Sequence, residues 1–319
     1  MQYGYMLTRL VSYLNARSLM VLACGVTIGL VFPGLAELFR PLLGPAVFMF
    51  LLGTFLRTDP SSLQSAFGKM RTSVWLPVFI ILGVPALLAG SLTMIGVEAF
   101  LVTAIVLTAA CPPSTANAPM ARAIGGDHST ALVIVLVCTF LSPLTIPLIA
   151  SNWLNLDLSA AILGRNVAFY ILGSCALATI AILFAKPVVD RSGDALDVVV
   201  TVALVVFAIG CMENVQGQIM DNPMRAAMVI TIAYAINIVS LLIGALLSHG
   251  TFTQRMSYGF PCANRNVGLV WAALGTSVDQ TITFYFALTQ VPIFTLPAIM
   301  QFFVGRLSRT QRDAAARDA

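Results

Sequence analysis

Two short clusters of polar residues follow prolines in stretches that are otherwise apolar. The clusters are Ser114, Thr115 and Asn117 behind Pro112 and Pro113, and Asn264, Arg265 and Asn266 behind Pro261. A proline has no N–H to donate and obstructs the preceding helical turn, so it leaves backbone carbonyls free. Hydroxyls, amides, a guanidinium and free carbonyls can together bind a small solute. We therefore predict two unwound helix segments, Cys111–Pro119 and Cys262–Asn266, whose six polar residues form a substrate-binding site.

Arg265 is the most informative of these residues, because it is the one clearly ionisable side chain placed deep in a predicted membrane span. A charge at that depth costs several kcal/mol, so it normally faces an interior cavity and serves function. Two alternatives remain open at this point. The side chain could reach toward the membrane surface, or it could form a structural pair with an acid, for which Glu213 is the best candidate.

The composition places the whole chain in a membrane. Its 319 residues are 59% hydrophobic and only 9% charged, whereas a soluble domain carries about 25% charged residues. The net charge of +4 is explained by basic loops, so no nucleic-acid partner is predicted. The six cysteines lie in apolar stretches and are interpreted as packing residues. His128 and His249 fall in predicted loops, so we expect neither a metal centre nor a catalytic histidine, and no cofactor.

Apolar runs long enough to cross a bilayer predict ten spans. They lie near residues 18–38, 41–56, 74–96, 99–124, 129–150, 162–186, 195–213, 225–247, 256–275 and 281–304. With ten spans, thirteen of the 17 Lys and Arg residues fall on one side and three on the other, while Arg265 lies within a span. By the positive-inside rule, the chain is a multi-pass protein of the cell inner membrane with both termini cytoplasmic, residues 1–17 and 305–319. The polar tail from Arg306 is expected to be disordered.

The two halves of the chain share one pattern. In each half the fourth span is broken by proline and polar residues, and the fifth span carries prolines: Pro143 and Pro147 in the first half, Pro292 and Pro297 in the second. Because each half has five spans, the second half enters the membrane in the opposite orientation. The sequence thus predicts an all-α fold of two inverted five-helix repeats, residues 18–150 and 162–304.

The two broken motifs, five spans apart, resemble those of the bile acid:sodium symporter family. The run from Ala287 to Pro292 that leads into the last span resembles the same family. The resemblance covers residues 18 to 305. It implies a panel domain from spans 1, 2, 6 and 7, and a core domain from spans 3–5 and 8–10 in which the two broken helices cross. It also implies an organic anion as substrate, usually carried with sodium.

The sequence departs from the pattern of the sodium-coupled members at their sodium ligands. Those members resemble one another in a Glu-x-x-x-Gln-Asn motif, where this chain has Pro261, Arg265 and Asn266. Their Ser-Asn pair in the first crossing is here Asn117-Ala118, and a third-span amide aligns with Ile80. A fixed guanidinium repels a sodium ion strongly at low dielectric. The departures therefore argue against sodium coupling at this site.

We interpret the chain as a secondary transporter of a small organic anion, bile-acid-like or a carboxylate metabolite, and not as an enzyme. Its expected partners are that anion and the lipid bilayer, and no oligomeric state is predicted. A symporter of another solute, driven by sodium or protons, is the nearest alternative. A membrane-embedded enzyme or a channel is the alternative from another class, although an enzyme of that kind needs an acid pair, a Ser/His pair or a metal cluster.

The topology is testable by tagging single cysteines in a cysteine-free background. A cysteine at Ser308 should react with a membrane-impermeant maleimide only after the cytoplasmic side is opened, because both termini are expected to be cytoplasmic. A cysteine at Glu98, in the loop after the third span, should react in intact cells. Labelling of both positions from the same side would contradict the ten-span arrangement.

Overall fold

The computed structural model describes residues 18–58, 70–153, 159–275 and 279–317, and this part of the chain is helical apart from short connections and one isolated β-bridge. The α-helices are α1 (Ser18–Val31), α2 (Pro33–Phe39), α3 (Leu43–Arg57), α4 (Met70–Val78), α5 (Val84–Met94), α6 (Ala99–Ala110), α7 (Asn117–Ala123), α8 (His128–Trp153), α9 (Ala160–Ala168), α10 (Ser174–Arg191), α11 (Gly193–Gly210), α12 (Val215–Asp221), α13 (Pro223–Leu246), α14 (Phe252–Ala263), α15 (Val267–Leu274) and α16 (Gln280–Arg317). A 3₁₀ turn, Arg40–Leu42, joins α2 to α3. Two π-helical turns, Phe79–Gly83 and Phe169–Gly173, join α4 to α5 and α9 to α10.

Several of these helices are long and apolar enough to cross a membrane, which confirms the prediction of an α-helical membrane protein. Within the described residues six runs meet this criterion: Pro33–Arg57, Val74–Met94, His128–Ser151, Ala160–Arg191, Gly193–Asp221 and Pro223–Leu246. Val21–Val31 and Ala99–Ala110 are shorter apolar helices. Large apolar side chains such as Leu144, Phe184 and Met224 stand at the protein surface. Such residues are stable there because lipid, not water, surrounds them.

Two predicted boundaries differ from the structure. The first span was expected over residues 18–38, but α1 ends at Val31 and a new helix begins at Pro33. The cause is local: Phe32 precedes a proline and adopts φ −119°, ψ 77°, outside the helical region. The tail was expected to be disordered from Arg306, but α16 continues to Arg317. The predicted cytoplasmic segment at residues 1–17 lies outside the described residues.

Ion pairs join the helix ends at both ends of the molecule. At one end, called here the Arg40 end, Arg40 Nε lies 3.1 Å from Glu213 Oε2, and Arg225 lies 3.9 Å from Glu98. At the opposite end, called the Arg57 end, the Arg57 guanidinium pairs with Asp197 and donates to the carbonyl of Gly193 at 2.8 Å. Glu213, the acid proposed for Arg265, is therefore bound to Arg40 instead.

Small residues let the helices approach closely. Helix α11 packs against α1 and α3, while α13 packs against α14 and α16. At Gly244, on α13, an added Cβ would lie 2.7 Å from both Cys262 Sγ and the carbonyl oxygen of Tyr258 on α14. Both atoms belong to α14, the helix that ends directly before Asn264. The contact therefore ties the position of α14 to α13.

Gly244→Ala should lower the free energy of unfolding by about 1–3 kcal/mol, because the added methyl group overpacks a tight helix contact. Thermal unfolding of purified protein in detergent measures this effect. Gly217→Ala is the matched control, since a Cβ at Gly217 meets nothing within 4 Å. Equal melting temperatures for the two variants would contradict the close α13–α14 contact.

Candidate functional site

The first broken helix unwinds where its prolines begin. Helix α6 ends at Ala110, and the N–H of Cys111 makes its last bonds, to the carbonyls of Leu107 and Thr108 at 3.2 Å. Pro112 and Pro113 have no N–H with which to continue the ladder. The predicted unwound stretch, Cys111–Pro119, is shorter in the structure because α7 already begins at Asn117. Pro119 lies in the first turn of α7, where helical N–H groups have no intrahelical partner anyway.

The second broken helix unwinds later than its proline predicted. Pro261 was expected to break the helix, but α14 runs through Pro261 to Ala263, and the N–H of Asn264 still donates to Phe260 at 2.8 Å. Only Asn264, Arg265 and Asn266 are non-helical before α15 begins at Val267. The position of this break follows from pairing with the first segment, which takes over the backbone groups of Asn264 and Asn266.

The two unwound segments pair as a short antiparallel β-bridge. The N–H of Ser114 donates to the carbonyl of Asn264 at 2.8 Å, and the N–H of Asn266 donates to the carbonyl of Pro112 at 2.8 Å. Each break therefore satisfies backbone groups that the other leaves open. In a membrane interior, where no solvent replaces a lost bond, this reciprocal pairing explains why two breaks are tolerated.

Arg265 sits at the bridge, is only 4% exposed, and donates to three carbonyls on three different segments. Its Nε donates to Cys262 O at 2.9 Å, Nη1 to Cys111 O at 3.2 Å and Nη2 to Ile80 O at 3.1 Å. The guanidinium thereby ties the end of α14, the end of α6 and the π turn between α4 and α5 to one point.

Each of these carbonyls is available for a physical reason. In a continued helix Cys262 O would accept from the N–H of Asn266, which pairs with Pro112 instead. At Cys111 the chain turns extended, with ψ 145°, so no helical donor follows. In the π turn the N–H of Val84 reaches back five residues to Phe79 O. The equivalent donor for Ile80 O would be Pro85, which has no N–H. Ile80, which stands where the resemblance has an amide, thus takes part through its backbone carbonyl and not through its side chain.

The positive charge of Arg265 is held by carbonyl dipoles. The ion pairs among the described residues involve other arginines, so no carboxylate neutralises Arg265 there. A buried charge without a counterion is expensive, and hydrogen bonds to three backbone oxygens offset part of that cost. Such a site keeps a net positive charge.

The structure divides the other predicted binding residues into two groups. Asn117 and Asn264 are buried, and the amide of Asn117 donates to the carbonyl of Asn264 at 3.0 Å. Their side-chain oxygens, Asn117 Oδ1 and Asn264 Oδ1, have no hydrogen-bond partner. Ser114, Thr115 and Asn266 are half-buried. All six residues lie at the bridge or directly beside it.

Comparison of the sequence with protein-family models finds no match, and comparison with curated proteins finds none at significant similarity. The function is therefore inferred from the residues and their geometry.

Arg265→Met should lower the free energy of unfolding by about 2–4 kcal/mol, because it leaves three buried carbonyls without a donor. The free energy of unfolding of Arg265→Lys should lie between those of Arg265→Met and the wild type, since a single ammonium cannot reach all three acceptors. Thermal unfolding in detergent reports the order. Arg165→Gln is the control. It changes an exposed arginine on α9 and should unfold like the wild type. A wild-type melting temperature for Arg265→Met would refute the bracing role.

Proposed function

We propose that this protein is a secondary transporter of a small organic anion, working by alternating exposure of a site at the crossing of its two broken helices. The observation that carries the proposal is Arg265, a buried positive charge without a carboxylate partner among the described residues, held at that crossing by three carbonyls. A multi-span helical membrane protein with such a charge in its interior is typical of a solute pathway.

The chemistry around Arg265 suits a carboxylate. A guanidinium carries five N–H donors, and three of them are used by backbone carbonyls, so two remain for a ligand. Helix α15 begins at the crossing with Asn266 as its N-terminal cap, and that helix end carries a partial positive charge. The half-buried hydroxyls of Ser114 and Thr115 add donors. These groups together form a site for a bile-acid-like solute or a smaller carboxylate metabolite.

We further propose ten membrane spans in two inverted repeats, and membership of the bile acid:sodium symporter family. The support is that helix contacts recur when each span is matched with the span five places later. Contact α1–α11 matches α10–α3, α5–α6 matches α13–α14, α8–α9 matches α16–α1, and α16–α6 matches α8–α14. In this proposal the panel domain comprises α1–α3 and α9–α12, and the core domain comprises α4–α8 and α13–α16. The inner membrane, with both termini cytoplasmic, is the proposed location.

Arg265 also argues against sodium as the driving ion at this position. The guanidinium already binds carbonyls from three segments, which is the role that a bound cation would otherwise fill. A sodium ion in the same space would meet an uncompensated positive charge. Because the guanidinium stays with the protein, it cannot carry the energy of an ion gradient into transport. Proton coupling, exchange or facilitated transport is consistent with this arrangement.

Anion binding to purified protein should be independent of sodium. We would measure thermal stabilisation by taurocholate and by small mono- and dicarboxylates, in sodium chloride and in choline chloride at equal ionic strength. Wild-type affinities should agree in the two salts within about twofold, because the site already contains its cation. A wild-type affinity that rises many-fold with sodium would contradict the proposal.

The same measurement on Arg265→Gln separates two roles of the arginine. If Arg265 contacts the substrate, the variant should lose anion binding by about tenfold or more, as expected for a lost charge-assisted hydrogen bond. If it braces the crossing alone, binding should persist in a less stable protein. Arg165→Gln again serves as the control, since it removes an exposed charge.

A further inference from the structure

The half-helix α15 is fixed at the Arg40 end by an arginine stacked on a buried tryptophan. The guanidinium carbon of Arg40 lies 5.1 Å from the centre of the Trp271 ring, and Arg40 Nε lies 3.1 Å from Glu213 Oε2. Arg40 lies in the turn between α2 and α3, Glu213 follows α11, and Trp271 lies on α15. One side chain therefore links three elements, two from the proposed panel and one from the proposed core.

Further contacts join α15 to α11 and to α9. Phe207 of α11 meets the Trp271 ring edge-on at a centroid distance of 6.4 Å. The backbone of α15 passes so near the Phe207 ring that a Cβ at Gly268 would lie 2.8 Å from it. On the opposite side, the Asn166 amide of α9 donates to the carbonyl of Ala273 at 2.8 Å. Helix α15 is thus held by α9, α11 and the Arg40 turn together.

The other three half-helices have different surroundings, and α6 packs mainly against α5, α8 and α16 of the proposed core. Helices α7 and α14 pack mainly against α8, against α13 and against each other, all within the proposed core. Helix α15, in contrast, packs against α3 and α9 of the proposed panel. The contacts between the two groups at the crossing are therefore concentrated toward the Arg40 end, so the arrangement is closed there.

We propose that Arg40, Glu213 and Trp271 form a latch that holds the Arg40 end closed, and that the latch must release before a solute can reach the crossing from that end. Its meaning as a gate rests on the proposed transport function, whereas the latch itself is a property of the fold. Arg40 and Glu213 side chains are 21% and 28% exposed, so they are shielded enough to interact and accessible enough to separate.

The indole N–H of Trp271 opposes the closed arrangement. Trp271 is 3% exposed, and its indole N–H has no hydrogen-bond partner. A buried donor without an acceptor opposes closure, because separation of α15 from α11 would return it to water or to a solute. Attraction between the Arg40 charge and the ring face, together with apolar packing, acts in the other direction. Removing Arg40 should therefore tip the balance toward the open state.

Hydrogen exchange on the intact protein in detergent, without any solute, tests the latch. In Arg40→Gln the amides of residues 267–275 and 160–168 should exchange about three- to tenfold faster than in the wild type, as expected for loss of a partly buried cation–π contact and ion pair. Exchange in the middle of α13 should not change. Arg225→Gln is the control, because it breaks the other ion pair at the Arg40 end, which joins two parts of the proposed core.

A double variant tests whether Arg40 acts on α15 through the Trp271 ring. If Arg40 acts through the tryptophan ring, Trp271→Leu together with Arg40→Gln should exchange no faster in α15 than Trp271→Leu alone. Additive effects would mean that Arg40 acts elsewhere and would overturn the latch. Unchanged exchange of α15 in Arg40→Gln, or an equal rise throughout α13, would overturn it too. Because no solute is present, these outcomes are independent of whether the anion-transport proposal succeeds.

Discussion

The central interaction in this protein is the set of three hydrogen bonds from the Arg265 guanidinium to the carbonyls of Cys262, Cys111 and Ile80. Each carbonyl belongs to a helix interrupted or distorted near a proline, and none has a helical donor available. In a membrane interior such oxygens have no solvent to bind, so the distortions require an internal donor. One charged side chain supplies it for all three segments at once.

This interaction connects the prolines of the chain to the proposed transport function. The prolines create breaks, the breaks pair with each other through Ser114, Asn264, Asn266 and Pro112, and the guanidinium holds the pair against the π turn. The result is a site whose positive charge belongs to the protein. A transporter with a bound sodium ion instead gains and loses that charge in each cycle. In the proposed function, the same geometry bears on both the choice of substrate and the source of energy.

Some of this arrangement follows from the amino-acid sequence. The apolar composition predicted membrane helices, and Pro112 and Pro113 predicted the first break at its correct start, because a double proline ends a helix through local sterics alone. Single prolines were less informative. Pro261 stays within α14, since a helix can continue past one missing donor. The start of a new helix at Pro33 was missed because the apolar run continues across it.

The partners of Arg265 could not be found in this way. Main-chain carbonyls are present at every residue, so no side-chain pattern marks the ones that a buried guanidinium will use. Glu213 was the natural candidate by charge, yet it binds Arg40 because α11 brings it to the Arg40 turn. The one available signal was Pro85, whose missing N–H frees Ile80 O, but only in the π register that the sequence did not reveal.

The proposal that Arg265 takes the place of a bound cation can be tested with Arg265→Ala. Removing the guanidinium leaves three carbonyls around a vacated cation position. The measurement is thermal unfolding of wild type and variant across a titration of sodium chloride, with choline chloride as the ionic-strength control. If Arg265 takes that place, sodium should stabilise the variant beyond choline and leave the wild type unaffected. Specific stabilisation of the wild type by sodium, or identical responses of the variant to the two salts, would contradict it.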